Sequence, residues 1–269
     1  MELLHIRNAT LKINYGGHTF LIDPYFAEAG SQPSFAGKAS NPTVPLPMPT
    51  DEILMGVDCV LVSHLHPDHF DEAAQAAIPR DLPIYCQPED VDTIRSAGFL
   101  AVRPLQDQVQ LGEIILTRTP GQHGTGSILP LMGVVSGFVF QHPGERTVYW
   151  CGDTVWYEGV QQNIDRYQPS LIVCHAGANK FFKEHNVFGP AYTGDSDVLI
   201  MDAAQVSCLC DYAPDSQVVA THVGALDHET VTRAELRAAL KKSVGSDQLF
   251  IPEDGQTLVF DQPLKTSQP

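Results

Sequence analysis

The sequence of 269 residues contains no apolar run long enough to cross a membrane and few basic residues. A membrane-spanning helix needs about 18 or more consecutive apolar residues, so we expect no transmembrane helix and no membrane partner. Residues 1–5 lack a basic segment that leads into a long apolar stretch, so we expect no secretory signal. Lys and Arg number 16 against 32 Asp and Glu, a formal charge of −16. Because nucleic acid binding needs clustered basic side chains, the sequence predicts no nucleic acid partner.

The six cysteines also lack the spacing of a zinc or redox site. Cys208 and Cys210 lie two positions apart in an apolar helical segment, closer than the usual metal or redox pair. The other four lie in apolar, strand-like runs: Cys59, Cys86, Cys151 and Cys174. Free buried thiols are typical of a reducing compartment. The sequence therefore predicts a cytoplasmic protein.

The densest group of polar side chains lies between a buried strand, predicted over residues 58–62, and a helix, predicted over 70–78. The loop between them carries His64, His66, Asp68 and His69. In open α/β sheets, ligands collect at the C-terminal ends of strands. Imidazole and carboxylate groups suit Zn²⁺, Fe or Mn²⁺ better than Ca²⁺ or Mg²⁺. We interpret the loop as a metal site, since four ordinary surface or core residues would have no reason to cluster.

Three later strand-like runs each end in a further candidate ligand, in the order His123, Asp153 and His222. This order, together with the His-x-His-x-Asp-His pattern, resembles the metallo-β-lactamase superfamily over about residues 3–260. Residues 16–24 resemble the opening of the subgroup that includes L-ascorbate-6-phosphate lactonase and related metal-dependent hydrolases.

The resemblance implies an α/β fold with a four-layer αβ/βα arrangement, in which two packed mixed β-sheets are flanked by helices. Residues 1–262 are expected to form one hydrolase domain, and residues 263–269 a loose tail. A predicted hairpin precedes Asp153 as another precedes Asp23, which suggests two similar halves. A final amphipathic helix is predicted over 230–242, with Thr230 as its N-cap.

The resemblance also assigns the ligands of two divalent ions. One ion takes His64, His66 and His123, the other takes Asp68, His69 and His222, and Asp153 bridges them. Zn²⁺ is the first choice, with Mn²⁺ or Fe²⁺ as alternatives. Asp23 is implied to orient a ligand histidine from behind, and its alternative role is to cap the turn before Pro24.

The expected function is hydrolysis of a small carbonyl substrate, a lactone or an ester, by a hydroxide held between the two ions. Asp68 is expected to orient the nucleophile, and His228 is the candidate proton donor to the leaving group. The alternative is that His228 is an exposed histidine before a helix, which needs no catalytic role. Secreted β-lactamases of the superfamily carry Cys where this chain has Asp153, so β-lactam hydrolysis is not expected.

Three other functions compete with this hypothesis. A phosphodiesterase or nuclease on the same scaffold shares every ligand, but the acidic composition disfavours it. A di-iron redox protein would need an added flavin-binding domain, for which the chain has no room. A non-catalytic relic would have no reason to keep seven ligands.

Two irregular stretches, residues 26–50 and 179–200, are expected to decide specificity. The first is rich in proline and is expected to lie over the metal site. The second mixes aromatic and basic residues and fits either a pocket wall or a contact in a homo-oligomer. Whether four polar residues line the pocket stays open at this point: His175, Lys180, Lys183 and His185.

Overall fold

The computed structural model describes residues 1–260. Its strands, in chain order, are β1 (Glu2–Arg7), β2 (Thr10–Tyr15), β3 (His18–Ile22), β4 (Cys59–Val62), β5 (Ile84–Cys86), β6 (Val102–Pro104), β7 (Gln108–Leu111), β8 (Ile114–Pro120), β9 (Ser136–Gln141), β10 (Val148–Trp150), β11 (Leu171–His175), β12 (Lys180–Phe182), β13 (Ser196–Val198), β14 (Gln217–Thr221), β15 (Leu249–Phe250) and β16 (Thr257–Val259). Its α-helices are α1 (Thr50–Leu54), α2 (Glu72–Ala77), α3 (Val91–Ser96), α4 (Glu158–Tyr167), α5 (Ala203–Tyr212) and α6 (Arg233–Leu240).

These strands form two seven-stranded mixed sheets, in the orders β16-β1-β2-β3-β4-β5-β6 and β15-β14-β11-β10-β9-β8-β7. In the first sheet, β1, β2 and β3 pair antiparallel, and β3 to β6 then pair parallel. The second sheet repeats this division, antiparallel from β7 to β10 and parallel from β10 through β11 and β14 to β15. Two similar halves, as predicted, therefore build the fold.

Alternation along the central strands sorts their side chains between two cores. Phe20 and Leu61 of the first sheet meet Phe138 and Val173 of the second in the core between the sheets. The side chains that point the other way from the same sheets pack against helices. Val60 lies with residues of α1, α2 and α3, whereas Ile172 lies with residues of α4, α5 and α6. Because the central strands are buried on both faces, they are almost continuously apolar in sequence. The predicted four-layer fold is confirmed.

The last helix differs from its prediction. It covers Arg233–Leu240, and its N-cap is Thr232, whose hydroxyl accepts a hydrogen bond from the N–H of Glu235 while the Glu235 carboxylate accepts from the N–H of Thr232. Thr230 instead donates its hydroxyl to the carbonyl of Ala178 at 2.7 Å. The reciprocal capping box outcompetes a single threonine two residues earlier.

All six cysteines are free thiols, and five of them are buried. Among residues 1–260, no helix combines the length and apolar character that crossing a bilayer requires. The loose tail predicted for residues 263–269 lies outside the described residues.

Candidate metal centre

The candidate ligands come from four loops that follow strands. The loop after β4 carries His64, His66, Asp68 and His69, and the loops after β8, β10 and β14 carry His123, Asp153 and His222. Because β4, β10 and β14 lie among the parallel strands of their sheets, their C-terminal ends gather at one edge of the sandwich. This edge is where an α/β fold ordinarily holds its ligands.

The first set of side chains consists of His64, His66 and His123, whose ligand atoms lie within 4.8 Å of one another. The ring centroids of His64 and His66 are 4.4 Å apart, and those of His66 and His123 are 5.1 Å apart. Burial lowers the pKa of all three, that of His123 to about 4. All three rings are therefore neutral near pH 7, which is the form of imidazole that binds a metal.

The second set consists of Asp68, His69 and His222, again with ligand atoms within 4.8 Å. The Oδ2 atom of Asp68 lies 3.2 Å from Nε2 of His222 and 3.6 Å from Nε2 of His69. Burial works to lower the pKa of His222, but the carboxylates of Asp153 and Asp68 outweigh it and raise that pKa to about 10. This set thus combines imidazole with negative charge, which favours a cation.

Asp153 lies between the two sets and touches both. Its Oδ2 atom is 3.2 Å from Nε2 of His69 and 3.3 Å from Nε2 of His123, and its Oδ1 atom is 3.9 Å from Nε2 of His222. Burial works to raise the pKa of Asp153, but the surrounding histidines, His69 first, hold it well below its usual range. An ionised carboxylate in this position can bridge two cations.

The ring nitrogens that face the centre support a metal site. The Nε2 atoms of His64, His69 and His222 are buried and have no hydrogen-bond partner within the protein. A buried polar atom without a partner costs free energy, which a cation bound to the nitrogen in place of any proton it carries would recover. Histidine and aspartate are ligands that Zn²⁺, Mn²⁺ and Fe²⁺ accept. The two sets with their shared carboxylate therefore fit two divalent ions.

The outward nitrogens of His64 and His69 are held by Asp23 and Ser63. Asp23 Oδ2 lies 2.7 Å from Nδ1 of His69 and accepts the Ser63 hydroxyl at 2.6 Å, and its Oδ1 accepts the Ser63 N–H at 2.8 Å. The Ser63 Oγ atom lies 2.8 Å from Nδ1 of His64. Of the two roles expected for Asp23, the structure shows the contact with a candidate ligand histidine. With Nδ1 so engaged, each ring directs Nε2 to the centre.

His123 and His222 also have polar neighbours on their outward sides, which local sequence patterns did not reveal. The carbonyl of Leu199 lies 3.0 Å from Nδ1 of His123. Glu229 Oε1 lies 3.7 Å from Nδ1 of His222, while Oε2 of the same carboxylate accepts the N–H groups of Gly224 and of Ala225, the latter at 3.0 Å. The contact of Leu199 with His123 joins segments 76 positions apart that only the fold brings together, whereas Glu229 follows His222 by seven positions in the same loop.

His175, whose place was open, reaches the centre. Its Nδ1 lies 2.5 Å from Oδ1 of Asp153, and its ring meets that of Trp150 edge-on at 5.0 Å. It is the last residue of β11, the strand between those that lead to Asp153 and His222. His175 therefore holds the oxygen of Asp153 that faces away from His69 and His123.

His228 lies beside the centre and not in either ligand set. It is 8% exposed, its Nε2 is 3.0 Å from Nδ2 of Asn179, and its ring centroid is 5.1 Å from that of Phe35. Asn179 Nδ2 in turn lies 3.5 Å from Nδ1 of His222. Burial lowers the pKa of His228 to about 4, so the ring is neutral near pH 7. Its role as proton donor stays a prediction, and it requires a route by which a neutral ring takes up a proton.

The three remaining open residues lie in the second insertion. Lys183 is exposed and pairs with Asp195 at 2.9 Å. Lys180 is half-buried at the start of β12. His185 packs on Gly37, where a Cβ atom would overlap its ring. The structure therefore places Lys183 at the surface and His185 at the junction of the two insertions.

Comparisons with known proteins agree with this geometry. The family model described as beta-lactamase superfamily domain matches residues 18–223. UPF0173 protein YddR of Bacillus subtilis (strain 168) is 36% identical over 266 residues, which cover 97% of this chain and 100% of the relative. The crystal structure of isothiocyanate hydrolase from Delia radicum gut bacteria has a TM-score of 0.88 and 36% identity, and covers 98% of this chain and 100% of that one. The crystal structure of a possible metal-dependent hydrolase from Veillonella parvula DSM 2008 has a TM-score of 0.88 and 32% identity, with 97% and 99% covered. The likeness extends over nearly the whole chain.

Proposed function

Because this chain belongs to the metallo-β-lactamase superfamily, in the UPF0173 family of metal-dependent hydrolases, we propose that it uses two metal ions to hydrolyse a small, uncharged substrate with an electrophilic carbon. The observation that carries the proposal is the position of Asp153. One oxygen of its carboxylate contacts a histidine of each ligand set, and the other is the nearer oxygen to His222. That arrangement supports a paired site and not two separate ones. Zn²⁺ is the first choice for both ions, with Mn²⁺ or Fe²⁺ as alternatives.

Two divalent ions bound here would supply hydroxide near neutral pH and positive charge to stabilise the developing anion. The protein's own contribution is orientation. Asn8 holds Asp68 through its side-chain amide, which lies 2.9 Å from the backbone carbonyl and 3.4 Å from Oδ2 of that residue. We assign Asp68 the role of orienting the attacking oxygen, as its place beside the second set suggests. His228 and Phe35 border the same region and would contact the substrate.

The first candidate substrate is an isothiocyanate. The support is the 36% identity, over 98% of this chain, to the isothiocyanate hydrolase. Hydrolysis of an isothiocyanate adds water to the central carbon of R–N=C=S, its oxygen forming the new bond. The C–N bond of the resulting thiocarbamate then breaks, and both hydrogens of the water end on nitrogen. The products are the amine R–NH₂ and carbonyl sulfide.

The second candidate substrate is a lactone or an ester. The resemblance of residues 16–24 to the lactonase-like subgroup supports it, and the attacked carbon is again a centre bonded to two heteroatoms. A lactone's alkoxide is a poor leaving group, which is where a proton from His228 would matter most.

The basic side chains around the first insertion argue against a phosphodiester. Arg7 donates to the backbone carbonyls of Tyr25, Ala27 and Val44, and the ammonium of Lys38 lies 5.4 Å from the ring centroid of Phe182. Both cations are thus committed to structural contacts. Together with the formal charge of −16, these two contacts favour an uncharged substrate over a phosphate.

The test measures metal content and turnover together. Protein purified without chelator is assayed by elemental analysis and then with phenethyl isothiocyanate, a small lactone and bis-p-nitrophenyl phosphate. About two ions per chain with isothiocyanate or lactone turnover would support the proposal. Turnover of the phosphodiester alone would favour the alternative function, a phosphodiesterase, over the proposed one. No bound ion, and no activity after Zn²⁺ or Mn²⁺ is added, would refute it.

We also propose a cytoplasmic location. Six free cysteines support it, because free thiols persist in a reducing compartment. Fractionation of cells that express the chain tests this.

A further inference from the structure

The carboxylate of Asp227 gathers one stretch of the first insertion, residues 34–41, which we call the 34–41 loop. Its donors are the N–H groups of Phe35, Ala36, Lys38 and Ala39, the hydroxyl of Ser34 and the side-chain amide of Asn41, and the N–H and amide distances range from 2.9 to 3.4 Å. The N–H of Asp227 returns a hydrogen bond to Oδ1 of Asn41 at 2.9 Å. One buried side chain thus accepts from four backbone N–H groups and two side chains of the loop, across 186 or more positions of sequence.

The loop is thereby tied to the segment that carries a ligand of the candidate metal centre. Asp227, His228 and Glu229 follow one another, and their side chains have three separate partners. Asp227 binds the 34–41 loop, the His228 ring meets Phe35 at 5.1 Å, and Glu229 lies behind His222. A displacement of Asp227 or of the loop would therefore change the positions of the side chains that border the site.

The other side of the loop rests on the second insertion. Gly37 has a φ of +69°, and the ring of His185 occupies the space where a Cβ atom would lie. The Lys38 ammonium lies over the ring of Phe182 at 5.4 Å. Both insertions that were expected to decide specificity meet here. Asp227 binds the first insertion on the side of the loop opposite to this contact.

We propose that Asp227 is a positioning residue that holds the 34–41 loop over the metal centre, so that Phe35 forms the wall against which the organic group of the substrate packs. The inference rests on the proposed function, since it concerns the substrate pocket of the same site. The physical reason is that four N–H groups of the loop, those of Phe35, Ala36, Lys38 and Ala39, donate to Asp227 and have no other acceptor among residues 1–260. If the carboxylate is lost, they must turn to water, and the loop must move.

The test compares Asp227→Asn with a matched control, Asp58→Asn. Asp58 also accepts a backbone N–H, that of Thr19 at 2.8 Å, but it lies just before β4, at the opposite end of that strand from the ligands. With phenethyl isothiocyanate, Asp227→Asn is expected to raise KM about ten- to hundredfold, the range expected when a hydrogen-bonded charge is removed, while kcat changes less than about threefold. Metal content should stay as in the wild type, and Asp58→Asn should change neither constant.

A double-variant comparison asks whether Asp227 acts through Phe35. Phe35→Ala alone should also raise KM, and adding it to Asp227→Asn should raise KM no further, because the released loop has already withdrawn the ring. Independent, multiplicative effects of the two substitutions would overturn the proposed route.

A readout without turnover separates this inference from the proposed function. Lys38 is exposed and is the only Lys or Arg in residues 26–50, so trypsin cleavage after it reports the state of the loop. Cleavage should be at least about tenfold faster in Asp227→Asn than in the wild type or in Asp58→Asn, as expected for a local opening that proteolysis samples. Unchanged cleavage, or faster cleavage with an unchanged KM, would overturn the inference. If the wild type turned over no substrate, the proposed function would fail and the wall assigned to Phe35 with it. The cleavage rates would still decide whether Asp227 holds the loop.

Discussion

Replacement of Asp23 by asparagine should weaken metal binding while it changes only one oxygen atom to an amide nitrogen. In the native protein, Oδ2 of Asp23 faces two donors, the hydroxyl of Ser63 at 2.6 Å and Nδ1 of His69 at 2.7 Å. His69 can offer Nε2 to a metal only if its proton lies on Nδ1. An amide N–H at the position of Oδ2 would oppose that proton. The ring would then favour the other tautomer, which places the proton on the metal-binding nitrogen.

The magnitude follows from these contacts. A hydrogen bond to a charged group contributes about 1.5–3 kcal/mol, which corresponds to roughly a ten- to hundredfold change in an equilibrium constant. Loss of a residue that orients a metal-bound histidine typically lowers metal affinity by about the same factor. We therefore expect Asp23→Asn to raise the Zn²⁺ dissociation constant by about ten- to hundredfold. The ion whose binding is weakened should be the one assigned to the set of Asp68, His69 and His222.

The assay is competition with a chromophoric chelator, which resolves two dissociation constants if the two ions bind with different affinities. Asp58→Asn is the control, because it removes a carboxylate that also accepts a backbone N–H, at the far end of β4. The control should leave both constants unchanged. If both metal dissociation constants of Asp23→Asn equal those of the wild type, the argument that Asp23 sets the tautomer of His69 is refuted.

Three further predictions concern other parts of the site. His66→Ala should abolish hydrolysis and lower metal content in elemental analysis with little loss of fold in circular dichroism, since this ring is only half-buried. His228→Ala should leave metal content unchanged but slow the poorest leaving groups in a series of esters; equal rates across the series would remove its role as proton donor. Burial works to raise the pKa of Asp227, but hydrogen bonds from Ser34, Phe35 and Asn41 hold it well below the ordinary value of about 3.9. A lowered pKa means that its contribution is complete above about pH 4 and is lost as pH falls through the native pKa, so hydrogen exchange should find the N–H of Phe35 equally protected from pH 7 to pH 5.

The order of the candidate ligands and the fold class could be read from the sequence, because both depend on local patterns. His64 to His69 occupy one short loop after an apolar run, and His123, Asp153 and His222 each follow an apolar strand. Strand alternation and the position of a polar residue directly after a strand are properties of neighbouring residues. These local properties do not depend on how distant parts of the chain pack. The superfamily resemblance then supplied the arrangement of the layers, which the strand order confirms.

Only the tertiary structure decided which groups stand behind those ligands. The carbonyl of Leu199 contacts His123, and His175 contacts Asp153. Asp227 contacts the 34–41 loop, which lies 186 or more positions earlier in the sequence. Each contact is a hydrogen bond whose two partners come from separate segments, so its formation depends on how the sheets and insertions pack. The types and order of the candidate ligands can thus be read from short stretches of sequence. The orientation of their rings and the shape of the pocket arise from packing between distant segments.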